Sequence, residues 1–255
     1  MSTREERVAL AAAHALGDVE ETPGAVLVRV PEAPDSPMLN RIVGLGTEHP
    51  ATEGEIDDAL AAMGSGVTFY VAVSPGAQPA ELPGWLQARG LEPGWGWMAF
   101  RRGVEAPPEA HSELRLVEVA DDDAAAAFAR IVRISYGLPA AVEAAVARAP
   151  ARGWQCWLAL DGDEPAGAAG LLVADGAGYL GYAGTLDAHR GKGAQSALLR
   201  ARIERAAELG CDMLITETGE RRDDLPSNSY RNILRAGFEE VAVTAHWVSR
   251  RPDAG

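Results

Sequence analysis

A glycine-rich loop with two cations is the feature of this sequence best suited to chemistry. It runs Arg190-Gly191-Lys192-Gly193-Ala194-Gln195-Ser196, between a β-rich run from Tyr179 to Leu186 and a helical pattern from Gln195 to Leu209. Glycines at a strand-to-helix turn let the backbone approach a ligand, and the first N–H groups of a helix have no internal acceptors and point at an anion. The setting therefore predicts a turn that binds a pyrophosphate.

The residues of this loop exclude two common phosphate-binding motifs. The loop has neither the Gly-Lys-Ser/Thr of a P-loop nor the G-x-G-x-x-G spacing of a dinucleotide-binding turn. Arg190 and Lys192 add positive charge in an acidic chain, although they could equally be ordinary surface charges in solvent. A different phosphate ligand is therefore expected.

At this loop the chain resembles the GNAT superfamily of N-acetyltransferases, whose signature is Gln/Arg-x-x-Gly-x-Gly/Ala between a strand and a long helix. The sequence follows the signature except at Gln195, which replaces the final small residue. The resemblance covers about residues 113–248 and includes a later helix that ends before Gly237-Phe238. It implies a CoA thioester donor, with acetyl-CoA as the co-substrate.

The resemblance also implies which residues contact CoA. The pantetheine would pair with the splayed end of the strand at Ala183 to Leu186, and Asn228 lies near a further CoA-contacting position of the family. A backbone N–H near Gly184 or Thr185 would stabilise the oxyanion. The predicted CoA-binding residues are Gly184, Thr185, Leu186, Arg190, Gly191, Lys192, Gly193, Ala194, Gln195, Ser196 and Asn228.

Acyl transfer to an amine also requires a base for the nitrogen and a proton for the departing thiolate. Glu217, at the end of a predicted strand, is the candidate base, while Glu220 in the acidic turn after it is the weaker choice. Ile233 stands where the family often has a tyrosine that acts as the acid. Tyr230, three residues earlier on the same helical face, is the candidate catalytic acid, although a packed tyrosine capping the core explains it equally well.

Composition limits the class of protein. The 255 residues, 47% of them hydrophobic, are enough for one large domain or two of ordinary size. The net charge of -14 disfavours nucleic acid and anionic membranes as partners and mildly favours a basic substrate.

No apolar run is long enough for a membrane span, and acids replace the basic start of a signal peptide, so a cytoplasmic protein is expected. Cys156 and Cys211 are interpreted as buried free thiols, and no metal site is predicted.

The elements around the loop alternate between strand and helix. In the first half we predict helices over Ser2 to Leu16, Ala51 to Met63 and Pro83 to Arg89, with three strands between them and a fourth after the last helix. In the second half we predict two helices between Asp121 and Ala149, a set of hairpin strands, and a strand–loop–helix–strand unit around the glycine-rich loop. The Pro- and Gly-containing stretch before Glu113 predicts domains at 1–105 and 113–255, joined by a linker at 106–112.

The predicted fold class is α/β, with two GNAT-like domains in tandem, each a mixed and mostly antiparallel sheet flanked by helices. The first domain is expected to be degenerate, because its equivalent loop, Gly44 to Pro50, carries an acid and a proline where a phosphate needs cations and free N–H groups. The second is expected to transfer the acetyl group of acetyl-CoA directly to a primary amine of a small molecule or peptide. A non-catalytic acyl-CoA sensor and a scaffold that binds no nucleotide remain alternatives, and a homodimer is compatible with the sequence.

Overall fold

Strands and helices alternate along the chain, as the sequence pattern predicts. The computed structural model describes residues 7–9, 11–12, 17–109, 111–221 and 228–249. Contacts between Cα atoms divide the chain into two compact units, one of residues 1–98 with 242–255 and one of residues 99–241. The predicted α/β class, a mixed sheet flanked by helices, is confirmed.

The first unit contains a short sheet and two helices that follow the helical residues 7–9 and 11–12. Its strands are β1 (Asp18–Thr22), β2 (Ala25–Arg29), β3 (Arg41–Val43), β4 (Tyr70–Val73) and β5 (Leu91–Pro93), and its helices are α1 (Glu53–Met63) and α2 (Leu82–Ala88). The first three strands pair antiparallel, and β4 joins β3 in parallel. Apolar side chains of the strands and of both helices form one buried core, which includes Leu27, Ile42, Ile56, Val71 and Leu86.

The second unit carries the glycine-rich loop. Its strands are β6 (Trp97–Arg102), which belongs to this unit from Ala99 onward, β7 (Arg115–Glu118), β8 (Gln155–Asp161), β9 (Glu164–Ala174), β10 (Ala177–Thr185) and β11 (Met213–Gly219). Its helices are α3 (Asp122–Tyr136), α4 (Glu143–Ala147), α5 (Ala194–Glu208) and α6 (Asn228–Arg235). The strands β7 to β10 pair antiparallel in chain order, and β11 lies parallel to β10 after the crossover through α5. The loop thus precedes the helix of a parallel β–α–β unit.

The last strand, β12 (Glu239–Ser249), passes from the second unit into the first. From residue 242 onward it belongs to the first unit, where it pairs antiparallel with β4 and β5. Its place beside β4 is set by long-range pairing, which the local sequence pattern does not carry. The predicted domain boundary at 106–112 stays a prediction, because a compact unit need not fold alone.

Several predicted elements differ in detail. The predicted helix from Ser2 to Leu16 lies partly outside the described residues, of which 7–9 and 11–12 are helical. The sequence pattern does not predict strand β1, because its acid-rich, mostly exposed residues lack an apolar alternation. None of the helices among the described residues has both the length and the apolar character needed to cross a bilayer.

Both units contain the same crossover. In the first, β3 leads through α1 to the parallel strand β4, and in the second, β10 leads through α5 to the parallel strand β11. This shared topology supports the predicted tandem of two similar domains. That the first unit is a degenerate form of the second stays a prediction.

Candidate functional site

Strands β10 and β11 stop pairing before either strand ends. Their parallel register runs from Ala177↔Met213 to Leu180↔Thr216, whereas β10 continues to Thr185 and β11 to Gly219. At the last pair the Thr216 hydroxyl donates to the Leu180 carbonyl over 2.9 Å. The two strand ends therefore leave an opening with polar backbone on the β10 side.

A β-bulge bends β10 at this opening. The register against β9 shifts between Gly181 and Gly184, and Tyr182 within the bulge has a left-handed φ of 52°. Its ring packs edge-on against Trp154 at 4.6 Å and Phe128 at 5.8 Å between ring centroids. A non-glycine residue with positive φ is costly, and such strain persists where the surroundings impose it, often at functional sites.

Among the residues at the end of β10, Thr185 is the one whose backbone N–H and C=O face away from β9. The Leu186 N–H donates to the Ala166 carbonyl over 2.9 Å, and the Leu186 carbonyl accepts from the His189 N–H. Successive residues of an antiparallel strand direct their backbone groups to opposite edges, so the Thr185 groups face away from β9, toward β11. At Gly184 an added Cβ would lie 2.3 Å from the Ser135 Oγ, which explains the glycine.

The helix that follows the loop begins without a side-chain cap. Helix α5 starts at Ala194, and its N-cap is Gly193, which has a left-handed φ of 82° and no capping side chain. The N–H groups of the first turn, which includes Gln195 and Ser196, have no acceptor within the helix. Gly191 also has a left-handed φ, and the space where its Cβ would lie is open. The start of α5 thus has backbone donors without acceptors in the helix, and that they bind a pyrophosphate stays a prediction.

The equivalent helix of the first unit is capped. At the start of α1 the Thr52 side chain accepts from the Glu55 N–H, and the Glu55 carboxylate accepts from the Thr52 N–H. The His49 ring nitrogen lies 2.7 Å from the same carboxylate. These contacts, and the acids themselves, leave the start of α1 unsuited to an anion.

Two residues of the predicted linker support the glycine-rich loop. The Ser112 hydroxyl donates to the Lys192 carbonyl over 3.2 Å and accepts from the Leu114 N–H. An added Cβ at Gly193 would lie 2.3 Å from the His111 carbonyl oxygen, so this segment lies directly against the loop. The sequence gives no local sign of this contact, which joins positions about 80 residues apart.

The cations of the loop are held by carboxylates. The Lys192 ammonium donates to Asp161 Oδ2 over 2.5 Å, and His189 Nδ1 lies 2.8 Å from the same oxygen. The hydrogen bond from Lys192 is the main cause that lowers the pKa of Asp161, and the bond to Asp161 raises the pKa of Lys192. Arg190 pairs with Asp187 at 2.7 Å while its side chain stays 64% exposed. Lys192 thus fixes the loop to the end of β8.

Helix α6 contacts the start of α5 through a residue that sequence reasoning did not select. The Asn232 amide donates to Gln195 Oε1 over 2.6 Å, so the side chain of Gln195 is directed toward α6. The predicted contact Asn228 is exposed and accepts from Arg231 within its own helix. The spacing of four residues between Asn228 and Asn232 places both on one face of α6.

The two candidate catalytic residues lie in different surroundings. The Tyr179 hydroxyl donates to Glu217 Oε2 over 2.5 Å, so Glu217 is oriented at the opening between β10 and β11. Tyr230 is buried, donates to Glu240 Oε1 over 2.6 Å and packs edge-on against Phe100. Burial, with the neighbouring carboxylate, raises the pKa of Tyr230 to about 12. The hydrogen bond and the ring contact fit the packing role that the sequence left open.

A buried arginine that the sequence analysis did not select lies beneath the bulge. Arg202 of α5 is 2% exposed, and its guanidinium donates to the carbonyls of Leu198 at 3.0 Å, Gly170 at 3.3 Å and Gly181 at 3.4 Å. Desolvation lowers the pKa of Arg202 to about 10, so it remains charged at neutral pH. Its signal in the sequence is a charge within the apolar face of α5, formed by Leu198, Leu199, Ile203 and Ala206.

The remaining nucleophilic and metal-binding candidates do not form a site. Cys156 and Cys211 are free and buried, and burial raises the pKa of the Cys156 thiol to about 12. Across the described residues, histidine, cysteine and carboxylate side chains form no cluster suited to a metal ion. The chemistry of the second unit therefore centres on the loop and the opening.

Comparisons with known proteins agree with this geometry. Residues 95–227 match the model of the acetyltransferase (GNAT) family. Solved structures with a similar fold include a GCN5-related N-acetyltransferase from Kribbella flavida, which is 19% identical with a TM-score of 0.70 over 98% of this chain and 96% of that one. Another, from Sphaerobacter thermophilus, is 14% identical with a TM-score of 0.61 over 95% and 90% of the two chains.

A tandem GNAT protein from the clavulanic acid biosynthesis pathway is also similar, with 14% identity and a TM-score of 0.60 over 91% of this chain and 79% of that one. At such identities these structures show the fold and not the substrate. No match was found among curated protein sequences. The family match includes the loop and Glu217 but ends before Asn228 and Tyr230.

Proposed function

Because the chain belongs to the acetyltransferase (GNAT) family and is an acyltransferase, we propose that it transfers the acetyl group of acetyl-CoA to a primary amine of a small molecule or peptide. The observation that carries this proposal is the opening between β10 and β11 beside the uncapped start of α5. An open strand edge suits the amides of a pantetheine, and a helix start suits a pyrophosphate. CoA joins these two groups in one molecule.

We assign the pyrophosphate to the backbone N–H groups of Ala194, Gln195 and Ser196. Gly191 and Gly193 support this assignment, since their left-handed φ values shape the turn and Gly191 leaves space beside it. Lys192 holds the loop through Asp161, and Arg190 is the exposed cation of the loop. Acetyl-CoA would supply the acyl thioester.

We assign the pantetheine to the end of β10, with Thr185 making the main backbone contact. The proposed set also contains Gly184, whose missing side chain accommodates Ser135, and Leu186, whose own backbone bonds fix the strand end. The Thr185 N–H is the donor best placed to stabilise an oxyanion as the amine attacks. Asn228 stays in the set as a contact from α6.

We assign the general base to Glu217. A carboxylate can take the proton of the attacking amine directly or through a water, and the bond from Tyr179 fixes its orientation. In direct attack the nitrogen bonds to the acyl carbon to give a tetrahedral oxyanion, and collapse of this adduct breaks the bond from carbon to sulfur and releases the CoA thiolate. No covalent intermediate with the chain is then required.

The proton for the departing thiolate has two candidate sources, Tyr230 and water. Tyr230 remains the candidate, since a phenol is protonated at neutral pH, although its raised pKa makes it a weaker acid than an ordinary tyrosine. Its hydroxyl would first have to leave Glu240. A CoA thiolate is a tolerable leaving group, so water can supply this proton if Tyr230 only packs.

A non-catalytic acyl-CoA sensor is the second candidate function. It is favoured by Ile233, which is buried at the position where the family often has its acidic tyrosine. A sensor and an enzyme bind CoA alike, but only the enzyme releases thiol when an amine is added. Thiol release from acetyl-CoA across a panel of amines therefore separates them.

The first test of the proposed function is calorimetric titration with acetyl-CoA and with desulfo-CoA. Gln195→Glu adds a negative charge at the start of α5 with little change of shape, and we expect it to weaken binding about tenfold because it repels the pyrophosphate. The matched control is Gln87→Glu, which adds the same charge on the exposed face of α2 in the first unit. Absence of wild-type binding would reject both the enzyme and the sensor.

A further inference from the structure

The buried guanidinium of Arg202 lies where the backbone of β10 leaves its regular pairing. Gly181, whose carbonyl it contacts, is the last residue before the bulge, and Gly170 is the partner of Gly181 on β9. A bulge removes ladder partners from the backbone groups around it. The Arg202 guanidinium supplies N–H donors to the Gly170 and Gly181 carbonyls beside the bulge.

Two more side chains satisfy backbone groups of the same segment. The Thr216 hydroxyl donates to the Leu180 carbonyl where the parallel ladder ends, and the Tyr136 hydroxyl is hydrogen-bonded to the backbone of Ala183. The three side chains come from three elements, α5, β11 and α3. Each therefore serves one backbone position along the segment from Leu180 to Ala183.

We propose that Arg202 is a positioning residue for acyl transfer, which holds the bulge of β10 so that the Thr185 N–H faces the opening to β11. This inference rests on the proposed function, because it assigns the orientation of the oxyanion donor. The backbone on the two sides of the bulge is fixed at Gly181 by Arg202 and at Leu186 by its bond to Ala166. Thr185 lies between these two fixed points.

The chemistry of arginine explains why a charge is retained at this buried position. A planar guanidinium donates in several directions at once, and here it reaches one carbonyl of its own helix and two carbonyls of the sheet. An apolar side chain of similar length would fill the volume and leave the sheet carbonyls without these donors. Hydrogen bonds from a charged donor contribute more than neutral ones, so their loss at both carbonyls should let the bulge rearrange or open.

Hydrogen–deuterium exchange of Arg202→Met tests the local role. We expect the amides of residues 181–185 to exchange about tenfold faster, while the ladder between β7 and β8 keeps its wild-type rate. The matched control is Arg200→Met, which removes an exposed arginine of the same helix that pairs with Glu204. Unchanged exchange at 181–185, or faster exchange throughout the unit, would overturn the proposal.

Kinetics test the consequence for the reaction. With the amine selected by the screen, Arg202→Met should lower kcat about tenfold or more and raise the Kd for desulfo-CoA by a smaller factor, because Thr185 also contacts the pantetheine but the start of α5 still binds the pyrophosphate. Tyr136→Phe removes only a hydroxyl and serves if Arg202→Met does not fold. We expect a larger effect on kcat than on Kd here too, with a smaller loss, and a wild-type kcat in whichever of the two variants folds contradicts the proposal.

The exchange measurement and the kinetic measurement together separate the positioning role of Arg202 from the proposed function. If the wild-type protein binds no CoA, the proposed function fails, yet the exchange rates at 181–185 still decide whether Arg202 holds the bulge. If CoA binds and turnover is measured, a loss of affinity as large as the loss of kcat shows that Arg202 supports the whole fold and is not a positioning residue.

Discussion

At the scale of single residues, the proposed proton transfer depends on the pair of Glu217 and Tyr179. Their oxygens are 2.5 Å apart, and the phenol donates to the carboxylate. Replacing Glu217 by Gln removes the base, so we expect kcat to fall about 100-fold at neutral pH with little change in the Kd for CoA. Steady-state kinetics together with calorimetry check both quantities.

Tyr179→Phe and Glu220→Gln complete this test. Loss of the donated hydrogen bond in Tyr179→Phe destabilises the ionised carboxylate, so the acidic limb of the profile of kcat against pH should move to higher pH. Glu220→Gln removes a neighbouring acid and should keep the wild-type kcat. If Glu220→Gln is the damaging change and Glu217→Gln is not, Glu217 is not the base.

At the scale of elements, the starts of α1 and α5 have opposite chemistry on the same β–α–β topology. The capping box of Thr52 and Glu55 satisfies the start of α1, whereas Gly193 leaves the start of α5 open. Thr52→Ala should therefore destabilise the protein by about 1 kcal/mol, as loss of a cap does, and leave the affinity for CoA unchanged. Denaturant unfolding and calorimetry on the same variant measure the two effects, and weaker CoA binding would indicate that α1 takes part in the site.

The same scale shows what the sequence could predict and what it could not. The loop, the long helix α5 and the strands on both sides of it could be predicted because glycine placement and apolar period are local signals. The contact of Ser112 with Lys192, the bond from Asn232 to Gln195 and the place of β12 beside β4 join distant positions. Such contacts depend on how the elements pack, and a single sequence does not contain that information locally.

Arg202 is an intermediate case. A charged residue within the apolar face of α5 is visible in the sequence, but its partners are backbone carbonyls of glycines, which have no side chain to signal the contact. The sequence can thus mark the position as unusual without indicating its role. The bulge itself is equally hidden, because Tyr182 is an ordinary strand residue in type and only its φ distinguishes it.

At the scale of the whole molecule, the charge of the chain acts on its ligands. With 37 acidic side chains against 23 basic ones, the net charge is -14, which attracts a cationic amine and concentrates it near the protein. Salt screens this attraction, since the Debye length falls from about 20 Å at low salt to about 6 Å at 0.3 M. The KM for an acceptor amine that carries charge in solution should therefore depend on the salt concentration, whereas the KM for an uncharged amine should not.

We expect the KM for a cationic acceptor to rise several-fold between about 0.02 M and about 0.3 M salt, at saturating acetyl-CoA, because screening weakens long-range attraction. The control is an acceptor of similar size whose amine is uncharged at the assay pH, and its KM should stay nearly constant. The kcat for both should change little, since the reacting groups lie within a few ångströms of one another, where screening is weak. Equal salt dependence for the two acceptors would mean that the acidic surface serves solubility and does not select the substrate.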